Sequence, residues 1–297
     1  LWRTSSPAPP SLSSALPSVR PMSNQPSRLV LVLGALALAS TSASAQTLEL
    51  LGLGRAQGIT PDGATVLGSQ GDDGNPVDTW LWTDAGGGTL TFIGGDDARA
   101  MSFDGTTVLG GGNASGFNAA MLWSSGAGWS SLGGFGTECQ GTLSYPADLA
   151  WSGTVAVGIA YDGCSSAPFK WTPSSGLTPL PTIGTSAVPR AISGGGTMIG
   201  GWDGSGFNIR KACVWFPDGT EQLILTGVAP NLGGQGEVLG FSFDGTYATG
   251  GAEWISGLGA FRWDAVNGPE YLGELPGSYG ARGVAISEDG KTVIGNS

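Results

Sequence analysis

Histidine is absent from the 297 residues, and that single absence excludes much familiar chemistry. No Ser-His-Asp or Cys-His nucleophile can be assembled, and no zinc or haem can be held by imidazole. Cysteine is nearly as scarce, with three in the chain, too few for a disulfide framework. Charged residues make up only 12%, and their balance is one-sided. The apolar spacing of three and four residues that marks an amphipathic helix is missing beyond residue 45. Only one apolar run is long, and it lies near the start.

That run belongs to "MSNQPSRLVLVLGALALASTSASAQ", which opens at Met22. Arg28 is its basic part, Leu29 to Ala39 its apolar part, and Ala43-Ser44-Ala45 a small-residue cleavage pattern. Together they predict a secretory signal peptide over 22–45 and a mature start at Gln46. The expected location is secreted, extracellular or at the cell surface, with the periplasm as the alternative. Residues 1–21 precede that Met and are rich in Pro and Ser; they read as an overcalled start or a disordered segment. Residues 46–297 read as a single repeat domain, with the last repeat expected to be incomplete. No stretch after the leader reaches the ~20 apolar residues of a membrane-spanning helix.

Beyond residue 45 there are nine bases against 23 acids, a formal charge of −14. Nucleic acid and anionic membranes are poor partners for such a surface. The same region holds 53 of the 54 glycines, interspersed with regularly placed tryptophans. Short strands and tight turns fit that mixture.

The regularity is a repeat. A Gly closing a "TVLG"-like stretch recurs at Gly68, Gly110, Gly158, Gly200, Gly250 and Gly295, and a downstream Trp at Trp82, Trp123, Trp171, Trp215 and Trp263. The steps lie between 41 and 50 residues for both markers. Each unit begins with a hairpin such as "GITPDG", "AMSFDG", "GFSFDG" or "AISEDG", whose Asp-Gly supplies the turn. A β-branched second strand follows, then a loop of variable length, the Trp strand and a fourth strand. Four strands per ~45 residues predict an all-β propeller, most simply six-bladed. A fragment of a seven-bladed, kelch-like propeller and a β-solenoid are the alternatives. Thr47 to Leu53 reads as an orphan fourth strand that would pair beside the last hairpin.

These units resemble the HAF-type extracellular repeat, a bacterial secreted repeat. The likeness is clearest in "GAFRW" and "YLGELPG", Gly259 to Gly277, and in "AISEDGKTVIG", Ala285 to Gly295. It implies a secreted repeat protein and leaves the activity open. The family's His is replaced by Asn118 in one unit, displaced by Ala167-Pro168 in another and replaced by Gly259 in a third. Trp151-Ser152-Gly153 stands where one unit should carry Asp-Gly.

The site candidates are few. Regular placement assigns Trp82, Trp123, Trp171, Trp215 and Trp263 to the core. Trp202 and Trp254 break the repeat and read as lying in the variable loop after the second strand, and Phe117 and Phe207 lie in the echoed loops "ASGFN" and "GSGFN"; these four are the candidate ligand-binding residues. Asp72, Asp73 and Asn75 in "GDDGN" are the only oxygen-rich set worth testing for calcium; no other cofactor is expected. Cys139 and Cys164 lie in polar loop sequence and are the expected disulfide, and Cys213 in "KACVW" the free thiol. The expected role is a non-catalytic extracellular module that binds or adheres to an unidentified polysaccharide or protein ligand. The alternatives are a carbohydrate-active hydrolase or lyase using carboxylates, and a structural protein of an envelope or matrix.

Overall fold

The structure is a computed structural model, and it describes residues 2–3, 51, 54–71, 78–85, 88–114, 117–136, 143–162, 164–204, 210–224, 235–254 and 257–297. Every element in it is a strand. The first sheet comprises β2 (Arg55–Ile59), β3 (Thr65–Gln70), β4 (Asp78–Thr83) and β5 (Thr89–Phe92). The second comprises β6 (Asp97–Met101), β7 (Thr107–Ala114), β8 (Phe117–Ser124) and β9 (Gly128–Ser131). The third comprises β10 (Ser144–Leu149), β11 (Ala156–Asp162), β12 (Ser165–Thr172) and β13 (Gly176–Pro179). The fourth comprises β14 (Ala187–Ile192), β15 (Ile199–Gly204), β16 (Arg210–Trp215) and β17 (Glu221–Leu223). The fifth comprises β18 (Gly236–Phe241), β19 (Tyr247–Trp254), β20 (Gly257–Asp264) and β21 (Gly268–Gly273). In the sixth, β22 (Arg282–Ile286) pairs with β23 (Thr292–Asn296), whose other edge takes the two-residue β1 (Trp2–Arg3). The strand expected over Thr47 to Leu53 lies outside the described residues except for Leu51.

All pairings are antiparallel, and within each full sheet the strands follow chain order. The first strands touch in succession, β2 to β6, β10, β14, β18 and β22. They surround a common axis and the fourth strands lie outermost, which makes the six sheets the blades of a propeller.

The repeated hairpin explains its own sequence. In the second blade the Ser102 hydroxyl donates to Asp104 at 2.7 Å and accepts the Thr107 amide at 3.0 Å, while Asp104 accepts the Thr106 amide at 3.0 Å. Gly105 follows at φ 71°, which a side chain would strain. Ser242-Phe243-Asp244-Gly245 repeats this network, and Ser287 and Asp289 do so in the sixth blade. Ser102 is only 2% exposed, and Ser102→Ala leaves the part-buried Thr107 amide without its acceptor. A loss of about 1 to 2 kcal/mol is expected in urea unfolding, with the corresponding Thr60→Ala close behind.

The core sits between blades. Trp263 packs with Ala212 and Val214 of the preceding blade, Trp215 with Ala150 and Val157, Trp123 against Leu67 and Leu81, and Trp171 against Leu109 and Leu122. Trp82, Trp215 and Trp263 are buried, whereas Trp123 and Trp171 are partly so.

Candidate functional site at the propeller axis

Each innermost strand carries a one-residue slip at the same place. The slips fall between Ala56 and Gly58, Ala98 and Ala100, Pro146 and Asp148, Pro189 and Ala191, Val238 and Gly240, and Gly283 and Ala285. A bulge bends its strand and re-aims the extra side chain. The repeated Gly of the second strand accommodates it. A Cβ on Gly158 would collide with the Tyr145 carbonyl oxygen, and one on Gly250 with that of Glu237.

The extra residues Arg99, Ala147 and Arg190 line one cavity of about 230 Å³, together with Tyr145, Val188 and Ile159. Its lining residues include two guanidinium groups and no carboxylate. Arg99 and Arg190 keep 51% and 42% of their side-chain surface exposed, so both still offer donors to a ligand. Asp97 pairs with Arg99 from two residues away.

Beside this cavity Glu237, whose side chain is 13% exposed, ties three blades together. It lies 3.4 Å from Arg190 of the fourth blade and 3.2 Å from Arg282 of the sixth. A second cavity of about 180 Å³ opens among Glu237, Arg282, Arg210 and Glu253. The Arg210 guanidinium lies over the Trp202 ring at 4.7 Å, a cation–π distance. Arg99, Arg190 and Arg282, three of the nine bases beyond residue 45, thus lie on innermost strands beside these two cavities of a strongly acidic chain.

The fourth blade holds an acid pair, one member buried and the other partly so. Asp203 is fully buried, and the Ile183 amide donates to both Asp203 at 3.1 Å and Glu221 at 2.8 Å. Burial first, and the Asp203 charge second, push the Glu221 carboxyl up to about 7. A carboxyl raised in this way stays protonated in the fold where the unfolded chain would ionise it. Stability therefore falls as pH rises from the ordinary Glu range towards 7, and the whole penalty is felt above it. Glu221→Gln is expected to stabilise the protein by about 1 kcal/mol near pH 8, after allowance for solvent screening, and to change little near pH 5. Urea unfolding at both values checks this. Burial also raises the neighbouring Cys213 thiol, so this free cysteine is no thiolate nucleophile.

The residues singled out from sequence fare unevenly. Trp202 is not in a loop: it lies within β15, partly buried, opposite Val188 and Ala212. The strand runs on to Gly204 because Gly200 and Gly201 let it press against Val238 and the Val188 carbonyl. Trp254 ends β19 and Phe117 begins β8, but their side chains lie outside the described residues. Phe207, Asp72, Asp73, Asn75 and Cys139 also lie outside them. Cys164 is disulfide-bonded. Among the described residues no three His, Cys, Asp or Glu side chains converge as a metal site, and no helix is long and apolar enough to cross a membrane.

No family model matches the chain, and no curated protein matches it. Solved structures do. An oligogalacturonate lyase from Vibrio parahaemolyticus aligns at 12% identity and TM-score 0.58 over 80% of this chain and 68% of its own. TolB from Acinetobacter baumannii aligns at 15% and 0.50 over 73% of this chain, which spans about half (54%) of that TolB. A prolyl endopeptidase aligns at 16% and 0.52 over 78% of this chain and 35% of its own. These likenesses show the β-propeller fold. They also correct the expectation of a non-catalytic extracellular binding or adhesion module, which rested on reading the repeat as a rigid disc without a reaction centre. The same fold occurs in a lyase and within a prolyl endopeptidase, about a third of which is matched, as well as in TolB, so enzymes and non-enzymes both contain it.

Proposed function

We propose that this chain is an enzyme of the eliminating class that acts, outside the cytoplasm, on a carboxylate-bearing oligosaccharide held at the propeller axis. The observation that carries this reading is the cavity in which Arg99 and Arg190 accompany Tyr145 without a lining carboxylate. Planar guanidinium forks suit a sugar carboxylate and bind it through paired, charge-assisted hydrogen bonds. Held so, the carboxylate can take up the negative charge that develops when the neighbouring C–H loses its proton. Among the lining residues Tyr145 is the one proton-transfer group, since guanidinium does not deprotonate in proteins.

The balance of the step is simple. With the tyrosine as its phenolate, the carbon next to the carboxylate gives its proton to the tyrosine oxygen, a carbon–carbon double bond forms, and the bond from the adjacent carbon to the glycosidic oxygen breaks. The glycosidic oxygen then takes that proton back from the tyrosine, which returns to its starting state and leaves an unsaturated uronate end and a shortened chain with a new hydroxyl. No oxidant and no water is consumed. The likeness to a lyase named for oligogalacturonate supports the substrate class. The leader over 22–45 and the HAF-type pattern support the location.

The test is incubation with oligogalacturonate, following the ultraviolet absorbance of the unsaturated product. Tyr145→Phe should lower kcat about 100-fold or more with KM little changed. Saturable binding without an unsaturated product would sink the elimination step, and absence of both would sink the whole reading.

A further inference from the structure

The hairpins joining the first and second strands meet at one end of the axis. Turn residues should be polar, yet three blades place an aromatic side chain immediately before the Asp or Ser of this turn: Phe103, Trp151 and Phe243. They remain 52%, 43% and 48% exposed. Phe103 and Trp151 lie 5.5 Å apart between ring centroids, and Trp151 and Phe243 5.0 Å. The second contact passes over the fourth blade, whose turn residue is Gly194; a Cβ there would collide with the Phe243 ring.

Backbone bonds fix the row. The Phe103 amide donates to Trp151 at 2.8 Å, the Trp151 amide to Gly194 at 3.1 Å, and the Gly195 amide to Phe243 at 2.8 Å. The Phe243 amide then donates to the Glu288 carboxylate at 2.7 Å. These aromatic residues are thus held outward by the scaffold with three ring surfaces left to water.

Acids accompany them. The same turns carry Asp62, Asp104, Asp244, Glu288 and Asp289 against a single base, Lys291, which pairs with Asp289 at 3.5 Å. Hydrogen bonds from the turns' own hydroxyls and amides hold the four Asp carboxyls below the usual range, so they stay ionised. The rings are tilted by 37° and 54° to one another. Arginine and lysine side chains can follow such a tilted row, covering it with their apolar stems and meeting each ring's negative face.

We propose that this end of the propeller docks a basic segment of a protein partner, its cationic side chains lying over Phe103, Trp151 and Phe243 within the surrounding carboxylates. Charge complementarity selects this occupant: the carboxylates steer a cationic segment and repel an acidic one. The surface is separate from the axial cavity and does not depend on the eliminating reaction.

The test uses the whole protein and labelled peptides of alternating Arg and Leu, Ser and Leu, or Glu and Leu. Fluorescence anisotropy should show saturable binding of the basic peptide alone, weakening with added salt. The triple variant Phe103→Ser, Trp151→Ser, Phe243→Ser should bind it about 10-fold less tightly. Its thermal unfolding and oligogalacturonate turnover should remain close to those of the parent, because the turns' backbone bonds are kept. Failure of the basic peptide to bind, equal binding of the Ser-Leu peptide, or unchanged affinity in the folded triple variant would each overturn the proposal. If the triple variant does not fold, Trp151→Ser alone is measured, with a severalfold loss expected and no loss counting against it. Displacement of the basic peptide by a neutral oligosaccharide at equal concentration would also overturn it, assigning the row to sugar instead.

Discussion

Trp215→Ala should lower the free energy of unfolding by about 3 to 5 kcal/mol, the cost of emptying a large buried aromatic site. The side chain is 1% exposed and fills the seam between the third and fourth blades beside Val157, Ile199 and Cys213. Its indole N–H also donates to the Pro181 carbonyl at 2.8 Å. Truncation thus removes interblade packing and a hydrogen bond together. Trp215→Phe, which restores most of the apolar volume but not the donor, should recover more than half of the loss. Urea unfolding monitored by the remaining tryptophans checks both. A loss under about 1 kcal/mol would mean that the blades are not held by these aromatic seams.

The second large effect concerns the axis. Arg99→Ala combined with Arg190→Ala removes both guanidinium groups that line the 230 Å³ cavity. Each hydrogen-bonded charge pair is worth about 1.5 to 3 kcal/mol, so affinity for oligogalacturonate should fall by roughly two to four orders of magnitude. Stability should change less, because both side chains are half-exposed and surface ion pairs contribute little. Arg190 also faces Glu237, so the single variant Arg190→Ala should cost more stability than Arg99→Ala. Steady-state kinetics and unfolding on the same variants separate the two effects.

Much of this architecture was legible in the residues. The Ser-x-Asp-Gly hairpin could be read because its network is local: each hydroxyl and carboxylate bonds to amides within five residues of itself. The interblade tryptophans were legible for a related reason, since one large aromatic per blade at constant register has few places to go. The axial site was not. "DARAM" and "VPRAI" look like plain inner strands, and the slip that directs Arg99 and Arg190 into one cavity exists only against the partner strand. Asp203 and Glu221 are likewise 18 residues apart and meet only because β17 folds back beside β16. Trp202 was misplaced because "GGWDGSG" has a loop's composition. Its glycines serve close strand packing, with Gly200 in contact range of Val238. The aromatic row was visible in principle: Phe103, Trp151 and Phe243 sit where turn chemistry calls for polar residues, and only their mutual contact required the fold.

The most direct test of the account is calorimetric titration of the protein with oligogalacturonate and, in parallel, with its fully methyl-esterified form. The axial arginines require the free carboxylate, so the acid should bind saturably, the ester should show no binding, and the Arg99→Ala, Arg190→Ala variant should bind the acid at least about 100-fold more weakly. Equal affinity for acid and ester, or undiminished binding of the acid by the folded double variant, would contradict the assignment of the axis as an anion-binding reaction site.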